Sequence, residues 1–235
     1  MKVIAVTSQK GGTGKTTLTG HIAVQAERAG AGPVALIDCD PQGSLTKWWN
    51  SRQAETPVLL QTSLPLLAEN LAALRNAGTQ LVVIDTPPAI TWTIFDVLKV
   101  CDLAVIPVRP SPHDLAATGP TVDLVESLDK PMVFVITCAA PRARITTEAA
   151  VALSQHGTVA PTIIYNRTEY ASSMIDGRTV MEVSGAQRST DEIEMLWHYI
   201  AGRLERLDGK PASQPLSPHG ALETNGAHAL EGAAK

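Results

Sequence analysis

The residues best suited to chemistry stand in one short stretch, SQKGGTGKTT, residues 8–17. Gly11, Gly12 and Gly14 carry no side chains, so the backbone there can fold round an anion with its N–H groups inward. A helix that follows would aim its positive end at the same anion. Lys15 would reach the β- and γ-phosphates of a nucleotide, and the Thr16 hydroxyl would bind Mg²⁺. Thr13 and Thr17 complete the loop. The usual phosphate-loop pattern asks for a glycine where this chain has Gln9. A second lysine, Lys10, follows at once and needs its own explanation.

Three carboxylates join that loop. DCDPQG supplies Asp38 and Asp40, and VVIDTPP supplies Asp85. Each motif closes an apolar run that reads as a strand, and ligands of open parallel sheets bind outside the carboxyl ends of strands. Asp85 would hold Mg²⁺, directly or through water, with Asp38 as a further metal candidate. One of Asp38 and Asp40 would orient an attacking water. A strand-end aspartate also caps a following helix, which is the competing reading for any one of them. Three acids beside one phosphate loop favour the site.

These residues need a rigid frame, and the rest of the sequence supplies one. The chain has 235 residues, enough for one α/β domain with a substantial core. Aromatics are scarce and small aliphatics abundant, which suits a parallel sheet covered by helices. Apolar runs predict strands over 3–7, 34–38, 57–60, 80–86, 103–108, 131–137 and 158–164. Helical patterns predict helices over 15–29, 64–78, 114–128, 146–155 and 190–207, with Trp48 and Trp49 near the start of another. Strands and helices alternate, so the fold class is α/β, a twisted parallel sheet with helices on both faces. The domain is read as 1–208. Residues 209–235, rich in Pro, Gly, Ala and Ser without periodicity, read as a disordered tail.

The formal charge of −4 does not advertise nucleic-acid binding, so any DNA contact needs a local patch. Cys39, Cys101 and Cys138 are odd in number and scattered through apolar runs, and read as reduced core thiols. No apolar run is long enough to span a bilayer, and MKVIAVT is too short for an apolar leader; a cytoplasmic protein is expected.

Taken in order, KGGTGKTT, DCDPQGS and IDTPP resemble the deviant Walker A ATPases of the ParA/MinD family. PVRPSPHDLAATG and SMIDGRTVMEVSGAQRSTDEIEML are similar to the small, ParF-like partition ATPases. The likeness covers about residues 1–207. It implies a P-loop NTPase that binds ATP and Mg²⁺ and closes into a face-to-face homodimer over two nucleotides. It gives Lys10 the part of a signature lysine that contacts the partner subunit's nucleotide. Lys15 becomes the phosphate-loop lysine, Thr16 a magnesium ligand and Asp85 the Walker B acid. Asp40 aligns the hydrolytic water, with Asp38 as a supporting acid. Gly12 lies where a bulky side chain blocks dimer closure. Asn166 and Arg167 fall where relatives contact or flank adenine; a plain surface turn is the other reading of IIYNRTEY.

The resemblance further implies non-specific DNA binding by the ATP dimer, near the nucleoid. A centromere-binding or cargo-adaptor protein then stimulates weak hydrolysis, and the cycle segregates or positions a plasmid, a chromosome or another cargo. Arg188 matches a DNA-contacting arginine of relatives, with Arg167 and Arg178 as further candidates. A solvated face laced with Asp191, Glu192, Glu194 and Glu205 is the alternative. A MinD-like membrane-cycling regulator would need a C-terminal amphipathic helix, which the tail lacks. A metabolic or metal-insertion ATPase bridging an iron–sulfur cluster would need paired interface cysteines, and Cys101 and Cys138 are not so placed.

Overall fold

The computed structural model describes residues 1–88 and 92–209. The expected tail from residue 210 onward lies outside the described residues. Apolar five- and six-residue runs form the inner strands: β1 (Lys2–Val6), β2 (Val34–Asp38), β4 (Leu81–Asp85), β5 (Leu103–Val108) and β6 (Met132–Ile136). With β3 (Val58–Leu60) and β7 (Thr158–Val159) they make a seven-stranded sheet in the order β3-β2-β4-β1-β5-β6-β7. Every pairing is parallel. β1 lies between β4 and β5, with Val6 opposite Asp85 on one side and Val105 on the other. The loop leaving β1 therefore emerges where the chain's path over the sheet changes direction, the usual ligand crevice of such folds.

The inner strands read as continuous apolar runs because both faces are covered. Alternate residues divide into two cores. Ile4, Val6, Leu36, Val83 and Val105 pack under α1 (Lys15–Arg28) and α9 (Gln187–Leu207), beside α2 (Ser44–Asn50) and α8 (Thr168–Ser173). Val3, Ala5, Ile37, Val82, Ile84, Ile106 and Phe134 face the other way, toward α3 (Leu67–Asn76), α4 (Trp92–Val100), α6 (Gly119–Ser127) and α7 (Arg144–Ser154).

Three expectations change. The predicted helix over 114–128 is two, α5 (Pro112–Ala116) and α6, because Pro120 has no N–H to continue the ladder. The predicted last strand over 158–164 pairs regularly only at Thr158–Val159; Pro161 interrupts it, and Ile164 N–H reaches the Ile136 carbonyl singly at 2.9 Å. α9 begins at Gln187, earlier than residue 190, so Arg188 stands in its first turn. α4 was not expected, although Ile94, Val97 and Leu98 have helical spacing and are all buried. Among the described residues, no helix is long and apolar enough to cross a membrane.

Candidate nucleotide site

The phosphate loop is pinned from three sides. Thr7 N–H donates to the Val105 carbonyl at 3.0 Å, tying its start to β5. Thr137 Oγ1, just past β6, donates to the Thr13 carbonyl at 2.8 Å. Gly14 caps α1 at φ 87°, a left-handed conformation that costs a side-chain-bearing residue about 1–2 kcal/mol. The main chain is thus held open before the helix N-terminus.

Around this loop the predicted chemistry assembles. Thr16, in the first turn of α1, donates its hydroxyl to Asp85 Oδ2 at 2.6 Å, and Thr19 donates to Oδ1 at 3.4 Å. Asp85 is fully buried, and its carboxyl is pushed up to about 7, foremost by burial. The Thr16 hydrogen bond opposes that rise, Asp38 adds to it, Lys15 opposes it and Asp40 adds to it. Lys15 is held below the usual ammonium range by burial, against the pull of Asp85 and Asp40; its Nζ donates to the Lys10 carbonyl at 3.2 Å. Among the described residues, no cluster of three or more His, Cys, Asp or Glu closes on one point. Mg²⁺ keeps waters and takes one or two carboxylates plus substrate phosphates. A hydroxyl and a carboxylate 2.6 Å apart beside a phosphate loop fit it.

The other acids divide their roles. Asp38 Oδ2 accepts from Thr46 N (2.8 Å) and Thr46 Oγ1 (2.9 Å), and Oδ1 accepts from Asp40 N at 3.1 Å. Asp38 thus ties the end of β2 to the first turn of α2, the contacts of a helix cap. Among the described residues the Asp40 carboxylate accepts only from Gln42 N, through Oδ1 at 3.0 Å, which leaves Oδ2 for other partners. Lys10 is exposed at the loop's outer edge, and its ammonium makes no hydrogen bond or ion pair among the described residues. Nearby, Arg109, at the end of β5, approaches the loop: a Cβ on Gly12 would stand 4.0 Å from its Nη1. Nothing in PVRPSP marks Arg109 for this position from sequence alone.

A cleft of about 180 Å³ opens beside the loop, between Gly14 and Thr17 on one side and Cys138, Asn166, Arg167 and Tyr170 on the other. Asn166 and Arg167 therefore do border the phosphate loop. Arg167 Nε donates to Glu192 Oε1 at 2.7 Å, and its guanidinium lies 5.4 Å from the Tyr165 ring centre. Of the three expected core thiols only Cys101 is buried; Cys39 is half-buried, as is Cys138, which lines this cleft, and burial first of all pushes the Cys39 and Cys101 thiols up to about 12. His21, wholly buried below the cleft, carries its proton on Nδ1: that atom faces the Thr17 carbonyl at 2.7 Å, while Nε2 accepts from Val180 N at 3.2 Å.

Of the remaining basic residues, Arg178 pairs with Asp176 at 2.7 Å on the surface, and its carbonyl accepts from Trp48 Nε1 at 3.1 Å. Trp48 is core, as expected; Trp49 is half-buried and donates to the Pro57 carbonyl at 2.8 Å. Arg188 is exposed with no ion pair among the described residues. Glu192, which the alternative reading put on a solvated face, is only 5 % exposed.

An apolar parallel sheet with a glycine loop, a Thr–Asp pair and a buried lysine at its crevice defines a nucleotide-binding α/β protein. The chain belongs to the CobQ/CobB/MinD/ParA nucleotide binding domain family, whose model it matches over residues 4–206. It is 32 % identical over 208 residues to "Maintenance of carboxysome distribution protein A" of Halothiobacillus neapolitanus, covering 84 % of this chain and 95 % of that one. It is 40 % identical over 124 residues to the protein of the same name from Gloeobacter kilaueensis, covering 52 % of this chain and 55 % of that one. Apo McdA from Cyanothece shares the fold with a TM-score of 0.70 at 17 % identity, over 85 % of this chain and 99 % of that one.

Proposed function

We propose that this protein is an ATP-switched positioning ATPase. ATP and Mg²⁺ bind at residues 8–17, two copies close over the nucleotides, and partner-stimulated hydrolysis opens them again. The observation that carries this reading is the exposed, unpaired Lys10 at the rim of a loop whose own lysine, Lys15, is already buried in the site. Among the described residues of its own subunit that ammonium has no partner, whereas a facing copy would bring phosphates to it. Phosphoryl transfer is catalysed mainly by positioning and charge neutralisation, so a lysine delivered across an interface couples hydrolysis to dimer closure.

The chain's own residues divide the task. The N–H groups of Gly11 to Thr16 and the Lys15 ammonium hold the phosphates. Thr16 and Asp85 hold Mg²⁺, which neutralises phosphate charge when bound. The Asp40 carboxylate orients the attacking water, and Asp38 keeps Asp40 and α2 in register. Arg188, with Arg178 and Arg167 as lesser candidates, gives the closed dimer a salt-sensitive, sequence-independent hold on DNA. An adaptor on the cargo stimulates hydrolysis. The relative named for carboxysome distribution supports a large protein assembly as cargo, ahead of a plasmid or chromosome.

Mass measured by light scattering tests the switch. The wild type is expected as a dimer with ATP and Mg²⁺ and a monomer with ADP. Lys10→Ala is expected to bind ATP and stay monomeric. A Lys10→Ala protein that dimerises on ATP as the wild type does would end this reading of Lys10.

A further inference from the structure

Glu192 is a buried acid in the second turn of α9, and among the described residues its carboxylate bonds only to the segment that walls the cleft. Its Oε1 accepts from Arg167 Nε at 2.7 Å. Its Oε2 accepts from Tyr165 N at 3.1 Å and from Tyr170 Oη at 2.9 Å. Tyr170 Oη also meets the Ser189 carbonyl at 3.1 Å, and its ring stands edge-on to His21 at 5.3 Å. One carboxylate thus fixes a backbone amide, a guanidinium and a phenol. Arg167 is held at the cleft, over the Tyr165 ring, rather than free to leave it. The phosphate loop, by contrast, is pinned by Thr7, Thr13 and Thr137 and receives nothing from Glu192.

We propose that Glu192 is the positioning residue of a base-reading wall, formed by Tyr165, Asn166, Arg167 and Tyr170, for the nucleotide bound at the phosphate loop. This rests on the nucleotide reading above. The wall offers a planar guanidinium for stacking and an exposed Asn166 amide for the edge of a purine. Its side chains and backbone bond to Glu192, and those of the phosphate loop do not. Base affinity and phosphate affinity are therefore separable by substitution. A merely structural Glu192 would lose both together.

The experiment is calorimetric titration of the full chain with Mg·ATP, Mg·GTP and Mg·tripolyphosphate, a triphosphate without a base. Glu192→Gln keeps the shape and removes the charge. It is expected to weaken ATP about 10-fold, the loss of one charge-assisted hydrogen bond. The preference for ATP over GTP should shrink, while tripolyphosphate affinity stays within about 2-fold. Arg167→Ala should act alike, and the double variant should be no worse than either single one. If Glu192→Gln does not fold, Tyr170→Phe, which removes one hydroxyl, carries the same comparison. Parallel losses for ATP and tripolyphosphate, or ATP affinity unchanged in every variant, overturn the proposal while the nucleotide site stands. A wild type that binds none of the three ligands overturns the nucleotide reading and this inference with it.

Discussion

Thr16 in the first turn of α1 and Asp85 at the end of β4 meet at 2.6 Å, hydroxyl to carboxylate. Two elements distant in sequence thereby bring a hydroxyl and a carboxylate oxygen to one point. Thr16→Ala is expected to keep nucleotide binding without metal and to lose the gain that Mg²⁺ brings. Titration with ATP in Mg²⁺ and in EDTA reads this directly. The two affinities should differ by about 10- to 100-fold in the wild type and hardly at all in the variant. An undiminished Mg²⁺ effect in Thr16→Ala would remove Thr16 from the metal site.

Among the described residues Asp40 keeps one carboxylate oxygen without a partner, whereas both oxygens of Asp38 are engaged. Asp40→Ala should therefore bind ATP and dimerise but turn over roughly 100-fold more slowly, a typical contribution of one positioned acid or base. Asp38→Ala should instead lower the melting temperature, because the first turn of α2 loses its acceptor. Unchanged turnover in Asp40→Ala would pass the water-orienting role to another group.

His21 makes a prediction about acid. Burial pushes its pKa down to about 4, against an ordinary value of 6.5. Between those values the unfolded chain binds the proton that the folded chain refuses, so this contribution is lost as pH falls from about 6.5 toward 4. The loss is about 3 kcal/mol. Asp85, raised to about 7, works in the opposite sense across the same window. The clean quantity is the difference between wild type and His21→Gln in urea denaturation at pH 7 and pH 4.5, without nucleotide or metal. The wild-type advantage should be large at pH 7 and mostly gone at pH 4.5.

Gly177 locks the 174–182 segment onto α2. At φ 82° a Cβ there would stand 2.3 Å from the Arg52 amide nitrogen, and Arg52 itself donates to the Gly177 carbonyl and pairs with Glu182. Gly177→Ala should cost about 2 kcal/mol or more, backbone strain and overpacking together. Gly185→Ala has a similar φ of 83° but open space, so it should cost about 1 kcal/mol. Equal denaturation midpoints for the two variants would show that the close contact yields easily.

Arg188 is exposed where Arg167 and Arg178 are paired. Arg188→Glu should weaken duplex binding in the presence of ATP and flatten its salt dependence by about one phosphate per subunit, with ATP affinity kept. Fluorescence anisotropy over a salt series measures both. An unchanged slope would place the DNA contact elsewhere.

The inner strands and the phosphate site were legible because their signals are local. Apolar runs ending in Asp85, or in Asp38 with Pro41 close behind, announce strand ends, and glycines beside Lys15 announce an anion site. Glu192 was not legible. Among Asp191, Glu194 and Glu205 it looks like surface charge, and only the return of residues 165–170 from another part of the chain buries it. His21 escaped for the same reason, since its Nε2 partner, Val180, lies far along the sequence. Helix α4 had the right spacing at Ile94, Val97 and Leu98. Pro87 and Pro88 just before it made the stretch read as a strand end alone.

The sheet ends in strands of three residues at β3 and two at β7. Such stubs offer a further strand almost no ladder to extend, and Pro57 and Pro161 beside them withhold N–H donors. The two sheet edges are thus poor templates for edge-to-edge strand pairing. On the proposed cycle, self-association would fall instead to the face that carries Lys10, where hydrolysis would undo it, giving assembly a clock where an open sheet edge would give it only an appetite.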